Sequence, residues 1–270
     1  MTDLVDQAAV ARYRRDGFVQ GGRLLAPEDA DALLATVDRI VADPAHPHHA
    51  AVFDMGLDGR PLAHLKNVWA VEPAFRDLLD RPELARALHQ LTGRRRFRLW
   101  QDGFFYKPPL VGSAHGWHQD LVYLPVRAGS RGTAAWVALT DVARPADGAM
   151  ALVPGSHRWG DATEALADLP APALDEPLEV VGRGPLPVEY ATMERGTVHF
   201  HDGLAWHGSV ANAGRATRCG LLLFFLDGDD RLWADHPYAE RYDEAASERF
   251  DDRLHPMIEY AGPILVPSDG

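Results

Sequence analysis

The chain has one cysteine in 270 residues, Cys219, so no internal disulfide can form and a fold held by a disulfide framework is excluded. No apolar run of the length of a signal-peptide core or a membrane span is visible at the N-terminus, and a cytoplasmic location is the expectation. Positive charge is also short. Lys and Arg number 27 against 39 Asp and Glu, a formal net charge of −12, which disfavours a nucleic-acid backbone or an anionic membrane as partner. No internal repeat is apparent, which sets aside solenoids and arrays. What remains is an ordinary globular composition, 46% hydrophobic and 24% charged, long enough for one large domain over 1–270 with its own core.

Helical spacing dominates the first third. Asp6 to Asp16 reads as a short helix that turns Val10 and Tyr13 inward and stops at Gly17. Pro27 opens a second, with Leu33, Leu34, Val37, Ile40 and Val41 on one face and Asp43-Pro44 as its end. Pro44 to His64, rich in Pro, His, Gly and Ala, reads as a long mobile loop; its His46, His48 and His49 are taken as solvated rather than as a metal site. Glu72 to Leu91 returns to helix. After Gly93 the period becomes two: strands are expected at Arg96 to Lys107, around His118, at Thr133 to Asp141, Gly148 to Val153, Val188 to Ala191, Thr197 to Asp202, Trp206 to Ala211 and Ala216 to Leu226. In Thr133 to Asp141 both alternating sets are apolar, so helices should cover one side of the sheet. The class is therefore α+β with a mainly β core, helices over about 6–92, a curled barrel or sandwich over about 94–226, and an aromatic, charged tail over 227–270 that wraps its mouth. The 44–64 loop and the tail around Trp233 to Tyr242 are expected to close over the site.

The chemistry gathers at Gly116-Trp117-His118-Gln119-Asp120. On a strand, His118 and Asp120 share a face, and His207 far downstream supplies a third ligand: two imidazoles and one carboxylate make the facial set of non-haem Fe(II) oxygenases, with open positions left on the metal. His115 and His201 compete as ligands, but His115, three residues before His118, should face the other way, and His201 reads as a packing or hydrogen-bonding residue. Arg218 stands eleven residues after His207. A hairpin turn at Asn212 to Arg215 would put Ser209 opposite Arg218, giving a guanidinium and a hydroxyl suited to one end of a dicarboxylate whose other end chelates iron. Cys219 should point away, into packing.

Trp117-His118-Gln119-Asp120, Asp147-Gly148-Ala149-Met150, Val153-Pro154-Gly155-Ser156-His157-Arg158-Trp159-Gly160, Gly196-Thr197-Val198-His199-Phe200-His201, His207-Gly208-Ser209 and Arg218 together resemble the phytanoyl-CoA dioxygenase family. The resemblance runs from Asp16-Gly17-Phe18 to the Arg218 strand and implies a double-stranded β-helix, or jelly roll, that works with Fe(II), 2-oxoglutarate and O2 on a small-molecule substrate. It implies that His118, Asp120 and His207 bind iron, that Ser209 and Arg218 hold the distal carboxylate of 2-oxoglutarate, and that Trp136, Lys66 and Gln101 contribute to the co-substrate pocket. Substrate-facing aromatics such as Phe104, Tyr106 and Trp206 are not fixed by any motif. Asp120 fills the place that halogenating relatives leave as Gly or Ala, so hydroxylation is favoured, with desaturation, ring closure and epimerisation sharing its first step. The rivals are a cupin-type hydrolase or isomerase independent of 2-oxoglutarate, a nucleic-acid demethylase, disfavoured by charge, and a non-catalytic small-molecule-binding jelly roll, disfavoured because no ligand is missing.

Overall fold

The computed structural model describes residues 3–174, 177–242, 245 and 247–263. In chain order its elements are α1 (Gln7–Asp16), β1 (Phe18–Arg23), α2 (Pro27–Ala42), β2 (Phe53–Asp54), β3 (Ala63–Lys66), α3 (Pro73–Arg76), α4 (Pro82–Thr92), β4 (Arg96–Lys107), β5 (His115–His118), β6 (Gly132–Ala138) and β7 (Met150–Leu152). There follow α5 (Thr163–Ala167), β8 (Leu178–Val180), β9 (Gly184–Leu186), β10 (Glu189–Ala191), β11 (Thr197–Asp202), β12 (His207–Ser209), β13 (Arg218–Asp227) and β14 (Met257–Glu259).

The helices begin and end where local chemistry dictates. The Asp6 carboxylate accepts the Ala9 N–H to open α1, and Gly17, at φ 86°, closes it. α2 starts at Pro27, where a missing N–H is harmless, and buries Leu33, Val37 and Ile40. The single helix expected over Glu72 to Leu91 is two, α3 and α4. Pro82 forces Arg81 into extended backbone (ψ 114°) and the chain restarts as a helix from there.

Two antiparallel sheets form the core. The larger runs β1-β11-β6-β13-β4-β3-β2, with β14 added on β4; the smaller runs β10-β7-β12-β5; β8 and β9 make a separate hairpin. Alternation assigns the faces of the large sheet. Ala135, Val137, Val198, Phe200, Leu221 and Leu223 point outward and pack against Leu33, Val37, Ile40, Phe75, Leu84 and Leu88 of the helices. Cys219 lies in this outer core, as expected. Trp136, Leu222 and Phe224 point inward, against Met150 and Leu152 of the small sheet. The expected β core with N-terminal helices on one sheet is thus present, as two facing sheets rather than a closed barrel.

Three further expectations change. The 44–64 segment is not one loop: β2 and β3 pair as a hairpin at the large sheet's edge, and its turn is latched to the next loop, with Leu57 N–H donating to Ser113 Oγ (2.8 Å) and Ser113 N–H to the Pro61 carbonyl (2.8 Å). β12 does not form a hairpin with β13. It pairs with β5 and β7 in the small sheet while β13 pairs with β4 and β6 in the large one. The segment between them crosses from sheet to sheet, pinned by the buried Asn212, whose amide donates to the carbonyls of Lys107, Pro108 and Ala216. The tail reaches the core as β14 and as Tyr242, Phe250 and His255 around Trp100; its residues from 264 onward lie outside the described residues.

Asp102, on β4, is fully buried; one carboxylate oxygen accepts the Trp69 N–H (3.0 Å) and the other has no hydrogen-bond partner among the described residues. Burial raises its pKa to about 7, against a partial offset from backbone N–H groups. A carboxyl with a raised folded pKa binds more protons folded than unfolded, so its contribution favours folding at low pH and is lost as pH rises toward and through about 7. Urea unfolding should show this group removing ~2–3 kcal/mol between pH 5 and pH 8. Asp102→Asn should lack that part of the slope; an identical pH dependence in the variant would refute the assignment.

Candidate active site

β5 ends at His118, and the chain turns at once. Asp120 has helical backbone (φ −73°, ψ −44°) and opens a single 3-10 turn at Leu121–Tyr123. Asp120 therefore meets His118 by a turn and not by strand alternation. Gln119 holds that turn: fully buried, it donates to the carbonyls of Gly160 (2.9 Å) and Leu204 (2.7 Å) and accepts the Ala162 N–H (2.8 Å). His207 is paired with His118 across β12 and β5, their ring centroids 4.1 Å apart.

Each imidazole is oriented by its own backbone. Nδ1–H of His118 donates to the Gly116 carbonyl (2.9 Å), and Nδ1–H of His207 to the Ala205 carbonyl (3.0 Å). Both Nε2 atoms are thereby left as lone-pair donors, lying 3.5 and 3.7 Å from Asp120 Oδ1. One ligand atom from each of the three residues lies within 4.8 Å of the others, and among the described residues this is the only such group found. His201 stands behind the carboxylate with Nε2 3.4 Å from Asp120 Oδ2, which fits its reading as a hydrogen-bonding residue. Burial pushes Asp120 toward protonation, but His207, His118 and His201 outweigh it and hold the carboxyl well below its ordinary range. Burial also drives His207 well down, so its ring is neutral, as a metal ligand must be. For His118, burial is outweighed by Asp120 and the shift is upward.

The other end of the pocket is cationic. Arg218 opens β13, is 4% exposed, and lays its guanidinium 4.3 Å above the Trp136 ring. Gly220 makes room for that ring: a Cβ there would sit 1.7 Å from Trp136 Cζ2. Opposite Arg218 in the β4–β13 register is Lys107, fully buried, whose ammonium donates to Ser209 Oγ (2.7 Å) and the Val210 carbonyl (2.7 Å). Arg218 Nε is buried without a partner, and among the described residues no carboxylate pairs with either cation. Burial lowers Arg218 to about 10 and Lys107 well below the ordinary lysine value. Histidines, carboxylate and cations line one pocket, walled by Trp136, Phe105, Met150 and Leu222.

Of the expected co-substrate residues, the structure brings together Ser209, Arg218 and Trp136. Lys66 stays exposed at the sheet edge, its ammonium 6.0 Å from the Phe53 ring, and does not line the pocket. Gln101 shares a strand face with Phe105 and Lys107 but lies too far along β4 to line it. Phe104 belongs to the helix-side core and Trp206 to the outer side of the small sheet, so neither faces the site. Two polar residues of the pocket depart from the sequence reading: Lys107, which was given no role, and His115, which was expected to face the other way. Lys107 had a signal, since only two of the 27 basic residues are lysines and one lies inside a strand of alternating pattern. His115 had none: a bulge sets the three-residue step His115–His118 against the two-residue step Ser209–His207, turning both histidines to one face. Of the two segments expected to close over the site, the 44–64 hairpin is latched as described, and the tail is tied by Trp233 N–H to the Pro125 carbonyl (2.8 Å), beyond the Asp120 turn.

The profile of the Phytanoyl-CoA dioxygenase (PhyH) family matches residues 13–220. The chain belongs to that family. Membership makes it an iron- and 2-oxoglutarate-dependent oxygenase with the double-stranded β-helix of the family. Among curated relatives it is 28% identical over 246 residues to an ectoine dioxygenase of Bordetella parapertussis, covering 85% of this chain and 78% of that one. It is 23% identical over 292 residues to the phytanoyl-CoA dioxygenase domain-containing protein 1 of Danio rerio, covering 90% and 97%. Among solved structures it resembles the carbocyclase SnoK from nogalamycin biosynthesis (TM-score 0.74, 21% identity, 94% and 96% covered) and AviO1 from Streptomyces viridochromogenes Tue57 (TM-score 0.62, 27% identity, 85% and 98% covered).

The Trp136–Gly220 contact gives a test of the pocket wall. Gly220→Ala should displace the indole, cost ~1–3 kcal/mol by overpacking, and shift tryptophan emission together with the near-ultraviolet dichroism. Unchanged spectra and stability would mean that Trp136 does not occupy the space above Gly220.

Proposed function

We propose that this oxygenase hydroxylates an unactivated C–H bond of a small molecule, with His118, Asp120 and His207 as its iron ligands. Arg218, Ser209 and Lys107 are the residues that take the distal carboxylate of 2-oxoglutarate. The observation that carries this reading is the pair of buried, uncompensated cations facing a histidine–carboxylate cluster across one pocket. Such a pair is costly to bury unless an anion completes it, and a dicarboxylate that chelates at one end supplies that anion at the other. The donor set suits the metal as well: two Nε2 lone pairs already freed by their backbone contacts, and a carboxylate kept ionised.

Iron bound there supplies O2 activation coupled to conversion of 2-oxoglutarate into succinate and CO2. The chain's part is to orient and to exclude water. Gln119 fixes the Asp120 turn, and His201 restrains the carboxylate oxygen that is not the one beside His118 and His207. Trp136, Leu222 and Met150 wall the space between the two ends against solvent. Asp120, filling the position where a halide would bind in halogenating relatives, supports hydroxylation. We assign residues 1–270 to one domain and the protein to the cytoplasm; no helix among the described residues is long and apolar enough to cross a membrane. A net charge of −12 supports a small-molecule substrate over nucleic acid.

Succinate formation from 2-oxoglutarate across a substrate panel, with products weighed by mass spectrometry, tests the reaction. A product heavier by one oxygen is expected; loss of two hydrogens, or an isomer of unchanged mass, would replace hydroxylation by desaturation, ring closure or epimerisation. For the metal, His207→Ala or His118→Ala should abolish most Fe(II) binding in anaerobic titration while the fold persists, and undiminished affinity in both would move the site elsewhere. For the co-substrate, Arg218→Ala should weaken 2-oxoglutarate by ~2–4 kcal/mol in calorimetry, and Lys107→Met should weaken it more than Lys66→Met does. The opposite lysine order would restore Lys66 to the pocket.

A further inference from the structure

We propose that His115 donates a hydrogen bond to the keto-acid carboxylate of 2-oxoglutarate, the end that lies next to the His118–Asp120–His207 cluster. This rests on the co-substrate reading above and adds a contact that the reading does not contain.

Three observations converge on it. The β5 bulge turns the ring into the pocket, 4.4 Å from the His118 ring and 5.8 Å from that of Phe105. The register sets the His115 backbone opposite Ser209, one step from the His118–His207 pair, but the ring leans back toward that pair and stands against His118 about as closely as His207 does, at 4.4 Å against 4.1 Å between centroids. A ligand reaching from cluster to cations has to pass this ring. Finally, the ring nitrogens of His115 make no hydrogen bond among the described residues, whereas His64, His118 and His207 each commit Nδ1 to a backbone carbonyl. His115 is also outside the group whose ligand atoms lie within 4.8 Å of one another, so it is not a fourth metal ligand. A half-buried imidazole with its donor unspent, beside the place where a carboxylate binds, is a binding group in want of its acceptor.

The distal carboxylate is already met by Arg218, Ser209 and Lys107, which leaves the cluster end as the one His115 serves. Its strand neighbour explains how the backbone permits this. Gly208 lets β12 come close enough that an added Cβ would be 2.7 Å from the His115 carbonyl, so the bulge is locked against the strand that carries His207.

The test uses two probes on the Fe(II)-loaded protein without O2, followed by calorimetry. 2-Oxoglutarate has both carboxylates; 4-oxopentanoate keeps the keto group and the distal carboxylate but has a methyl in place of the keto-acid carboxylate. His115→Phe should weaken 2-oxoglutarate at least tenfold, leave 4-oxopentanoate within twofold, and leave Fe(II) affinity within threefold. His115→Gln, which keeps an N–H donor, should recover most of the loss. Equal weakening of both probes, or of neither, overturns the proposal, as does a His115→Gln variant no better than His115→Phe. Wild-type protein that binds Fe(II) but not 2-oxoglutarate would instead defeat the co-substrate reading itself, and this proposal with it.

Discussion

The site depends on an imbalance of charge that the folded chain does not correct by itself. Arg218 and Lys107 are buried side by side with only neutral acceptors around them, and Asp120, largely buried, is surrounded by imidazoles. Holding a charge in such surroundings costs roughly several kcal/mol per ion. The rest of the structure keeps these groups where they are despite that cost. The helices seal the outer face of the large sheet, Gln119 staples the Asp120 turn, and Asn212 pins the crossover that brings the two sheets' contributions together. Stability is thus spent locally on a slot that is complete only when filled.

Long, regular pieces of this arrangement were legible in the sequence. The strands at Arg96 to Lys107 and Thr197 to Asp202 match their expected bounds because period-two alternation persists across them, and α1 and α2 begin and end at Asp6, Gly17, Pro27 and Asp43 because caps are local chemistry. The triad residues came together because the motif fixes them, although by a different path. What sequence patterns do not encode is which strand pairs with which. Ser209 and Arg218, only nine positions apart, read as hairpin partners; they approach from opposite sheets, since the turn that Asn212 closes with the Gly214 N–H and the Ala216 carbonyl is also tied to the Lys107 and Pro108 carbonyls and carries the chain from one sheet to the other.

The residues that were lost depend on single irregularities. One extra residue in β5 reverses the face of His115, and period-two reasoning has no means of seeing a bulge. Lys66 and Lys107 could be separated only by knowing that β3 is near the sheet's edge while β4 is held on both sides. A lysine motif borrowed from relatives pointed to the former; the register puts the latter opposite Arg218.

β12 is three residues long and hydrogen-bonded on both sides, to β5 and to β7, so it cannot slide along either neighbour without breaking the other. It carries His207 at one end and Ser209 at the other, two strand positions apart, a separation of roughly 6.5–7 Å. In the proposed site those two side chains attend opposite ends of the same co-substrate. The strand is then a ruler: it sets the length of diacid that fits, and a keto-diacid one methylene longer or shorter can satisfy His207's metal or Ser209's hydroxyl but not both in unstrained form.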